Sequence, residues 1–287
     1  MYLTTENSLF PRNLGIVLYM TESPEHMPKG RARLIAVLRL AGDVVHISDA
    51  EQALQVDRTQ AAKLLSRWAA QGWMRRVGSG AYVPVQLDLL DVGQVVQDPW
   101  ILIPALFSPC YVGGRTAAEH WDLTEQIFRD IFVFSARTLR SRTVERQGAI
   151  FTLKHTKQEM IFGTKTLWRD HTRVLVSDVH RTVIDMLDDP ATGGGIQHVD
   201  DCFLRYAKRP DYDPDSLLAY AKRHGNGAIF KRLGFLAERH GLDKLAAGAS
   251  RNLTAGNTKL DPALACPRLV SRWHLRVPQS WIRGAAA

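Results

Sequence analysis

The sequence predicts an α+β protein, because helix-spaced apolar residues and short β-rich segments alternate along the chain in two differently organised parts. Up to about residue 95, three helical segments precede two strands that flank a glycine turn. In residues 96–287, short strands dominate the middle and helices dominate the end. For that second part we expect a mixed α/β domain with a small, mainly antiparallel sheet and a helical end.

The first part has the element order of a winged helix-turn-helix domain, which we assign to residues 1–95. Apolar residues spaced as on one helix face end at Gly42, and a capping box formed by Ser48 and Glu51 predicts a short second helix. Asp57 is placed to cap a third helix. The stretch 73–85 then predicts a hairpin whose turn has glycines on either side of Ser79, and this hairpin is the wing.

The third predicted helix has one apolar and one polar face. Its apolar residues recur at intervals of three and four and predict the side that packs on a core: Ala61, Leu64, Leu65 and Trp68. Its polar residues are those that reach base edges when such a helix enters a major groove: Arg58, Thr59, Gln60, Lys63 and Arg67. In the wing, Arg75, Arg76 and Ser79 are suited to bind phosphates. The alternative is that both sets are ordinary solvated side chains.

The second domain is assigned to residues 96–287, after a connector over 88–97. Asp98 and Pro99 predict the start of a helix over 100–107. Strands are predicted over 127–134, 149–154, 159–162 and 172–176, and helices over 116–121, 179–188, 198–208, 214–224 and 227–240. Four arginines at intervals of three, two and four are candidates for secondary DNA contacts: Arg137, Arg140, Arg142 and Arg146. The alternative is that they face an acidic partner or solvent.

Composition and charge narrow the class of protein. With 45% hydrophobic and 23% charged residues, the 287-residue chain is typical of a soluble globular protein. Its 37 Lys and Arg against 29 Asp and Glu give a net charge of +8, which favours a polyanionic partner. Segment 29–85 alone has nine basic and four acidic residues. Three scattered cysteines, no secretion signal and no long apolar run predict reduced thiols, a cytoplasmic protein and no membrane partner.

The carboxylates Asp178, Asp185 and Asp188 raise the possibility of a metal-dependent nuclease. Their spacing predicts a structural role instead, with Asp178 in the first turn of a helix and no second carboxylate cluster beside it. The glycines 193–195 lack the strand and the helix of a phosphate-binding loop. We therefore predict no metal, no cofactor, no catalytic residues and no enzymatic activity.

Two strings carry a resemblance to a known family. They are YVGGRTAAEHWDLTEQ at 111–126 and VSDVHRTVIDMLDDPATGGGIQHV at 176–199. Together with the preceding winged helix and in this order, the two strings resemble the AbiEi antitoxin family of type IV toxin-antitoxin systems. The resemblance covers nearly the whole chain. The more specific of the two is the second string, in which a helix begins at a Ser-Asp-x-x-Arg-Thr sequence and is followed by glycines. Its matching residues are Ser177, Asp178, Arg181, Thr182, Asp185 and Leu187. Two departures are His180, where an acidic residue is common, and the third glycine.

The resemblance implies an antitoxin that represses its own operon by binding inverted repeats in its promoter. It also implies that the C-terminal domain neutralises a nucleotidyltransferase-like toxin, commonly without a stable complex, and we expect that domain to fold alone. Two alternatives stay open. A one-component transcriptional regulator would have a small-molecule pocket in the second domain. A metal-dependent nucleic-acid-processing enzyme would bring the three carboxylates together in one cleft.

Overall fold

The computed structural model describes residues 29–85, 96–138 and 140–282 of the chain. Helices and small sheets are mixed throughout these ranges, so the protein is α+β as predicted. Most of the predicted connector, residues 1–28 and residues 283–287 lie outside the described residues, and the predicted boundary near residue 95 stays a prediction. No helix within the described ranges has both the length and the apolar character needed to cross a membrane.

The N-terminal part packs three helices against a three-stranded antiparallel sheet of order β1-β3-β2. Its elements are α1 (Lys29–Leu40), β1 (Val45–His46), α2 (Ile47–Leu54), α3 (Arg58–Ala70), β2 (Met74–Gly78) and β3 (Ala81–Pro84). The core between them contains Val37 of α1, the α3 residues Ala61, Leu65 and Trp68, and Tyr82 of β3. The apolar face predicted for the third helix is therefore the buried face, although Leu64 is only partly covered.

The start of α2 differs from the prediction. The capping box at Ser48 and Glu51 is wrong, because His46 is the N-cap and its backbone N–H donates to Oδ2 of Asp49 at 2.7 Å. His46 also pairs with β3, so the end of the strand fixes where the helix begins. The cap predicted for α3 is confirmed, since Oδ1 of Asp57 accepts a hydrogen bond from the backbone N–H of Gln60 at 2.9 Å.

A six-stranded mixed sheet forms the middle of the C-terminal part, in the order β6-β7-β5-β4-β9-β8. The β5–β7 and β4–β9 pairings are parallel, and the other three pairings are antiparallel. The elements around this sheet are α4 (Leu102–Phe107), β4 (Cys110–Val112), α5 (Gly114–His120), β5 (Asp130–Ser135), β6 (Thr143–Arg146), β7 (Ala149–His155), β8 (Thr164–Arg169), β9 (Thr172–Ser177) and α6 (Val179–Asp188).

The remainder of the described chain is helical and ends in a small sheet. Its elements are α7 (Ile196–Ala207), α8 (Pro214–His224), α9 (Gly227–Arg239), α10 (Asp243–Ser250), β10 (Thr258–Lys259), β11 (Arg268–Val270) and β12 (Leu275–Val277). Two buried cations of α9 bind the segment at residues 256–260, and one of them also binds the end of α6. Nζ of Lys231 donates to the carbonyl of Gly256 at 2.7 Å, and Arg232 donates to the carbonyls of Leu260 and Leu187 at 2.9 and 2.8 Å.

Several helices and strands of the structure differ from those that the sequence patterns predict. The strand predicted over 159–162 is wrong, because Gln158–Met160 is a 3₁₀ turn. In the segment after that turn, the ring of Phe162 packs 4.1 and 3.9 Å from the guanidinium carbons of Arg181 and Arg223. The sequence patterns do not predict strands β6 and β8, because both are edge strands in which most residues are polar. The three-residue β4 and the helix α10 were also missed.

Each face of the six-stranded sheet buries its own apolar cluster. One face packs Val133, Phe151 and Val176 against the α4 residues Leu102 and Ile103. The other face presents Tyr111, Phe132 and Phe134, with the rings of Tyr111 and Phe134 stacked 4.8 Å apart. Because consecutive strand residues point to opposite faces, the three-residue β4 contributes to both clusters.

A buried polar triangle joins the second face to α6. Nε of Arg181 donates to Oδ1 of Asp185 at 2.7 Å, Nη2 of Arg181 donates to the hydroxyl of Tyr111 at 3.0 Å, and that hydroxyl donates to Asp185 at 3.1 Å. All three side chains are almost fully buried, and Arg181 is 1% exposed. Burial raises the pKa of Asp185 to about 6, against the opposing effect of the Arg181 charge.

We predict that Arg181→Ala lowers the free energy of unfolding by about 3–5 kcal/mol, because it leaves the buried Asp185 carboxylate without its charged partner. Replacing both charges, Arg181→Leu with Asp185→Leu, should cost less than the single change. Urea unfolding followed by circular dichroism measures both effects. Arg173→Ala is the matched control, since Arg173 is exposed and its loss should cost less than about 0.5 kcal/mol. Equal losses for Arg181→Ala and Arg173→Ala would contradict the assigned role.

Candidate nucleic-acid interface

Helix α3 presents its predicted polar face to solvent. Arg58, Thr59, Gln60, Lys63 and Arg67 are all exposed in the described structure, opposite the buried Ala61, Leu65 and Trp68. The Arg58 guanidinium is 3.7 Å from the carboxylate of Glu51, and the Arg58 side chain is 74% exposed to solvent. An exposed ion pair of this length contributes little stability. The donors of this face are therefore available to an external ligand.

The polar face of α3 borders an open groove of about 760 Å³. The residues that line it are Arg58, Thr59, Ala62, Lys63, Ser66 and Arg67 of α3 and Ile47 of α2. Gln60 is exposed but does not line the groove. Ser66 was not among the predicted residues, although it follows Lys63 by three positions and Thr59 by seven, which is helical spacing. No sequence pattern identifies Ile47, because tertiary packing of α2 on α3 brings it to the groove.

The hairpin β2–β3 places its two arginines on opposite faces. Arg76 is opposite Tyr82 and shares the face that packs on α3, whereas Arg75 is opposite Val83 and shares the face turned toward the C-terminal part. Arg76 is exposed, and its Nε donates to the carbonyl of Gly78 at 3.1 Å. Ser79 is exposed in the turn between the strands. Arg76 is thus the hairpin arginine on the side of α3, and Ser79 lies at the tip of the hairpin.

The hairpin is seated on the C-terminal part rather than projecting freely. Its residues Val77 and Val83 belong to the same buried cluster as Leu102 of α4. A Cβ built on Gly78 would lie only 2.7 Å from the side chain of Leu106, so the glycine permits this close approach. A second tie holds the loop after α1, where Oδ2 of Asp43 accepts hydrogen bonds from the backbone N–H of His171 at 2.9 Å and the Thr172 hydroxyl at 2.8 Å.

The four arginines predicted as secondary contacts do not form one cluster. All four are exposed, and Nη1 of Arg137 donates to the carbonyl of Leu106, whose side chain contacts the hairpin. Arg140 and Arg142 follow Arg137 along the loop before β6, but Arg146 lies at the far end of β6. Arg146 pairs with the first residue of β7, and the Arg137 carbonyl contacts the last residue of β7. The length of this strand therefore places Arg137 and Arg146 roughly 20 Å apart.

The three carboxylates of the α6 region have separate partners. Asp178 caps α6 through the backbone N–H of Arg181 and accepts from the Tyr220 hydroxyl. Asp185 belongs to the triangle with Tyr111, and Asp188 accepts from Asn226. In the part of the chain that the structure describes, no three His, Cys, Asp or Glu side chains are grouped as metal ligands would be.

The glycines 193–195 differ from the prediction in one respect, because a helix does follow them. Gly195 is the N-cap of α7, and the 3₁₀ turn Pro190–Gly193 precedes it instead of a strand. The first N–H of α7, from Ile196, donates to Oδ2 of Asp261 at 3.0 Å. A carboxylate of the chain itself therefore occupies the position that an anion takes at a helix N-terminus.

A second groove, of about 470 Å³, borders α7. Seven of its nine lining residues are polar or charged, namely Thr124, Glu125, Gln126, His198, Asp201, Arg205 and Lys208, and Leu123 and Leu204 are the apolar members.

Comparison with known proteins identifies a similar fold but no family. No family model matches the sequence, and no curated protein matches it. The crystal structure of the RV2827C protein from Mycobacterium tuberculosis is similar to this chain, with a TM-score of 0.54 at 15% sequence identity. The similarity covers 88% of this chain and 92% of that one. At this identity it concerns the fold alone, and it extends over both the N-terminal and the C-terminal parts.

Proposed function

We propose that residues 29–85 are a winged helix-turn-helix that binds double-stranded DNA through α3 and the β2–β3 hairpin. The observation that carries the proposal is the α3 surface, where five polar side chains are exposed together opposite the buried Ala61, Leu65 and Trp68. Helix α3 follows α2 after a short turn and precedes the hairpin, which is the element order of this motif.

The chemistry of the α3 face fits base recognition. Arg58 can donate two hydrogen bonds to guanine, and Gln60 can pair with adenine through its amide. Both lie in the first turn of α3, the end of a recognition helix that contacts base edges. Lys63 and Arg67 continue this face and suit phosphates. Arg76 and Ser79 would bind the backbone beside the groove, with Arg137 next to the seated hairpin as a further phosphate contact.

For the whole chain we propose an antitoxin of a type IV toxin-antitoxin system that represses its own operon in the cytoplasm. The basis is the resemblance to the AbiEi family carried by the string at 176–199. In that string, the Ser177 and Thr182 hydroxyls are 2.7 Å apart, Asp178 caps α6 and Arg181 binds Asp185. These motif residues therefore maintain the fold. Antitoxicity is a separate proposal, and its test is an experiment in cells.

Arg58→Ala or Gln60→Ala should weaken binding to the promoter of the chain's own gene by ~1–3 kcal/mol and affect a random duplex little, because base-edge contacts carry sequence discrimination. Electrophoretic mobility shifts on duplexes of equal length measure both affinities. Arg39→Ala removes the same charge from an exposed position of α1 and serves as the control. Equal losses on the two duplexes would rule out base readout by these residues.

The hairpin generates a separate prediction. Arg76→Ala should weaken binding to every sequence and make the slope of log K against log salt concentration shallower by roughly 1, because one phosphate contact is lost. Arg75→Ala, one position away on the other face of the hairpin, should leave the slope unchanged. A salt titration of both variants tests this, and an unchanged slope for Arg76→Ala would show that the hairpin does not contact DNA.

Antitoxicity can be tested in the full chain. A triple variant, Arg58→Ala with Gln60→Ala and Lys63→Ala, should lose repression but still rescue cells that express the nucleotidyltransferase-like toxin expected from the neighbouring gene. The three side chains are exposed, so the fold should persist, and soluble protein levels provide the control. If rescue disappears together with repression, neutralisation runs through DNA binding and the assignment to residues 96–287 is wrong.

A further inference from the structure

Two loops at one end of the six-stranded sheet carry only basic charges. One loop joins β5 to β6 and the other follows β7, and they lie at the same end because β5 and β7 are parallel neighbours. Segments 136–143 and 155–158 together contain five Arg, Lys and His residues and no Asp or Glu. All five are exposed. We call this surface the basic sheet end, and its residues are Arg137, Arg140, Arg142, His155 and Lys157.

Hydrogen bonds hold the two loops together. Nδ1 of His155 is 3.2 Å from the carbonyl of Arg137, and the carbonyl of Arg142 accepts from the backbone N–H of Leu153 at 2.7 Å. Leu153 precedes His155 by two residues, so Arg142 lies roughly 7 Å from His155 along β7. The backbone beneath these basic side chains is therefore fixed by β7.

The basic sheet end adjoins the β2–β3 hairpin. Nη1 of Arg137 donates to the carbonyl of Leu106 at 2.7 Å. The side chain of Leu106 lies against Gly78, which is the last residue of β2 before the hairpin turn. A chain of direct contacts therefore leads from the tip of the hairpin through α4 to the basic sheet end.

Arg142 and His155 lie on the face of the sheet on which the hairpin packs. Residues two apart along a strand point to the same face. Val144, two residues after Arg142, packs on the cluster that contains the inner side of the hairpin, and Leu153, two residues before His155, belongs to that cluster. Both basic side chains are therefore on the hairpin side of the sheet.

Carboxylates leave the charge of this surface almost uncompensated. Among the described residues, no ion pair involves Arg137, Arg140 or Arg142. Lys157 is 4.0 Å from Glu159, and both of these side chains are exposed, so their attraction is weak. An uncompensated positive surface that continues a DNA-binding surface favours the phosphate backbone of the same duplex as its ligand.

We propose that the basic sheet end binds the DNA backbone beyond the base pairs that α3 and the hairpin contact. The inference rests on the proposed DNA binding by residues 29–85 and extends it to the C-terminal part. Arg142 and Lys157 donate to phosphates, which adds affinity and orients the chain but reads no bases. The whole chain therefore covers a longer tract of duplex than its winged helix alone.

Arg142 and Arg146 provide a matched test. Both are exposed arginines on the same face of the sheet, and they lie at the two ends of β6. Arg146 is opposite Ala149, which places it roughly 13 Å beyond Arg142 and away from the hairpin. One variant thus removes a charge from the basic sheet end, and the other removes the same charge from outside it.

In the full chain, Arg142→Ala should weaken binding to the promoter and to a random duplex alike. It should make the slope of log K against log salt concentration shallower by about 0.9, the value for one phosphate contact. Arg142→Lys should retain the native slope because it keeps the charge, and Arg146→Ala should leave the slope unchanged. An unchanged slope for Arg142→Ala, or equal changes for Arg142→Ala and Arg146→Ala, would overturn the proposal.

Duplex length provides the second measurement. When the promoter duplex is shortened one base pair at a time from each end, the native chain should lose affinity at one end before the bases read by α3 are removed. Arg142→Ala should be less sensitive to this first loss, because its contact to the flanking backbone is already absent. Identical length profiles for the native chain and Arg142→Ala would contradict binding of the flank by the basic sheet end.

These experiments distinguish the inference from the proposed function on which it rests. A native chain that does not bind the promoter contradicts both. Promoter binding that is insensitive to Arg142→Ala contradicts only the role of the basic sheet end. If Arg142→Ala binds DNA as the native chain does but no longer rescues cells from the toxin, the surface serves an acidic protein partner and the proposal is wrong.

Discussion

The buried guanidinium of Arg181 connects the two halves of the C-terminal part. Its hydrogen bonds to Tyr111 on the sheet and Asp185 on α6 fix how that helix crosses the sheet, and the Phe162 ring covers the guanidinium at 4.1 Å. A buried charge is tolerated only where its partners are in place, so β4, α6 and the segment before β8 must adopt one arrangement together. The positions of the helices that pack on α6 therefore depend on this arrangement.

The same sheet also supports the N-terminal part. Its other face and α4 bury the inner side of the β2–β3 hairpin, and Asp43 binds the turn between β8 and β9. The hairpin orientation is therefore set by contacts from outside residues 29–85. A ligand that contacts both α3 and the hairpin meets a surface whose shape depends on the C-terminal part, and Arg137 lies beside that surface through its bond to Leu106.

Much of the local structure could be predicted from residue patterns. The cap at Asp57, the apolar face of α3 and the range of α6 follow from spacing and capping chemistry, which act within a few residues. The polar face of α3 could be predicted for the same reason. Edge strands β6 and β8 could not, because polar strand residues show no apolar alternation and become strands only when a neighbour offers hydrogen bonds.

By itself, the sequence determined which residues share a helix face, where α3, α6, α8 and α9 begin and which segments are basic, since all of these depend on local spacing. Tertiary structure decided which distant groups meet. It separated Arg75 from Arg76 across the hairpin and Arg137 from Arg146 along β7, and it gave Asp178, Asp185 and Asp188 different partners. These outcomes depend on strand register and on packing between segments far apart in the chain, and a one-residue change of register would reverse the faces.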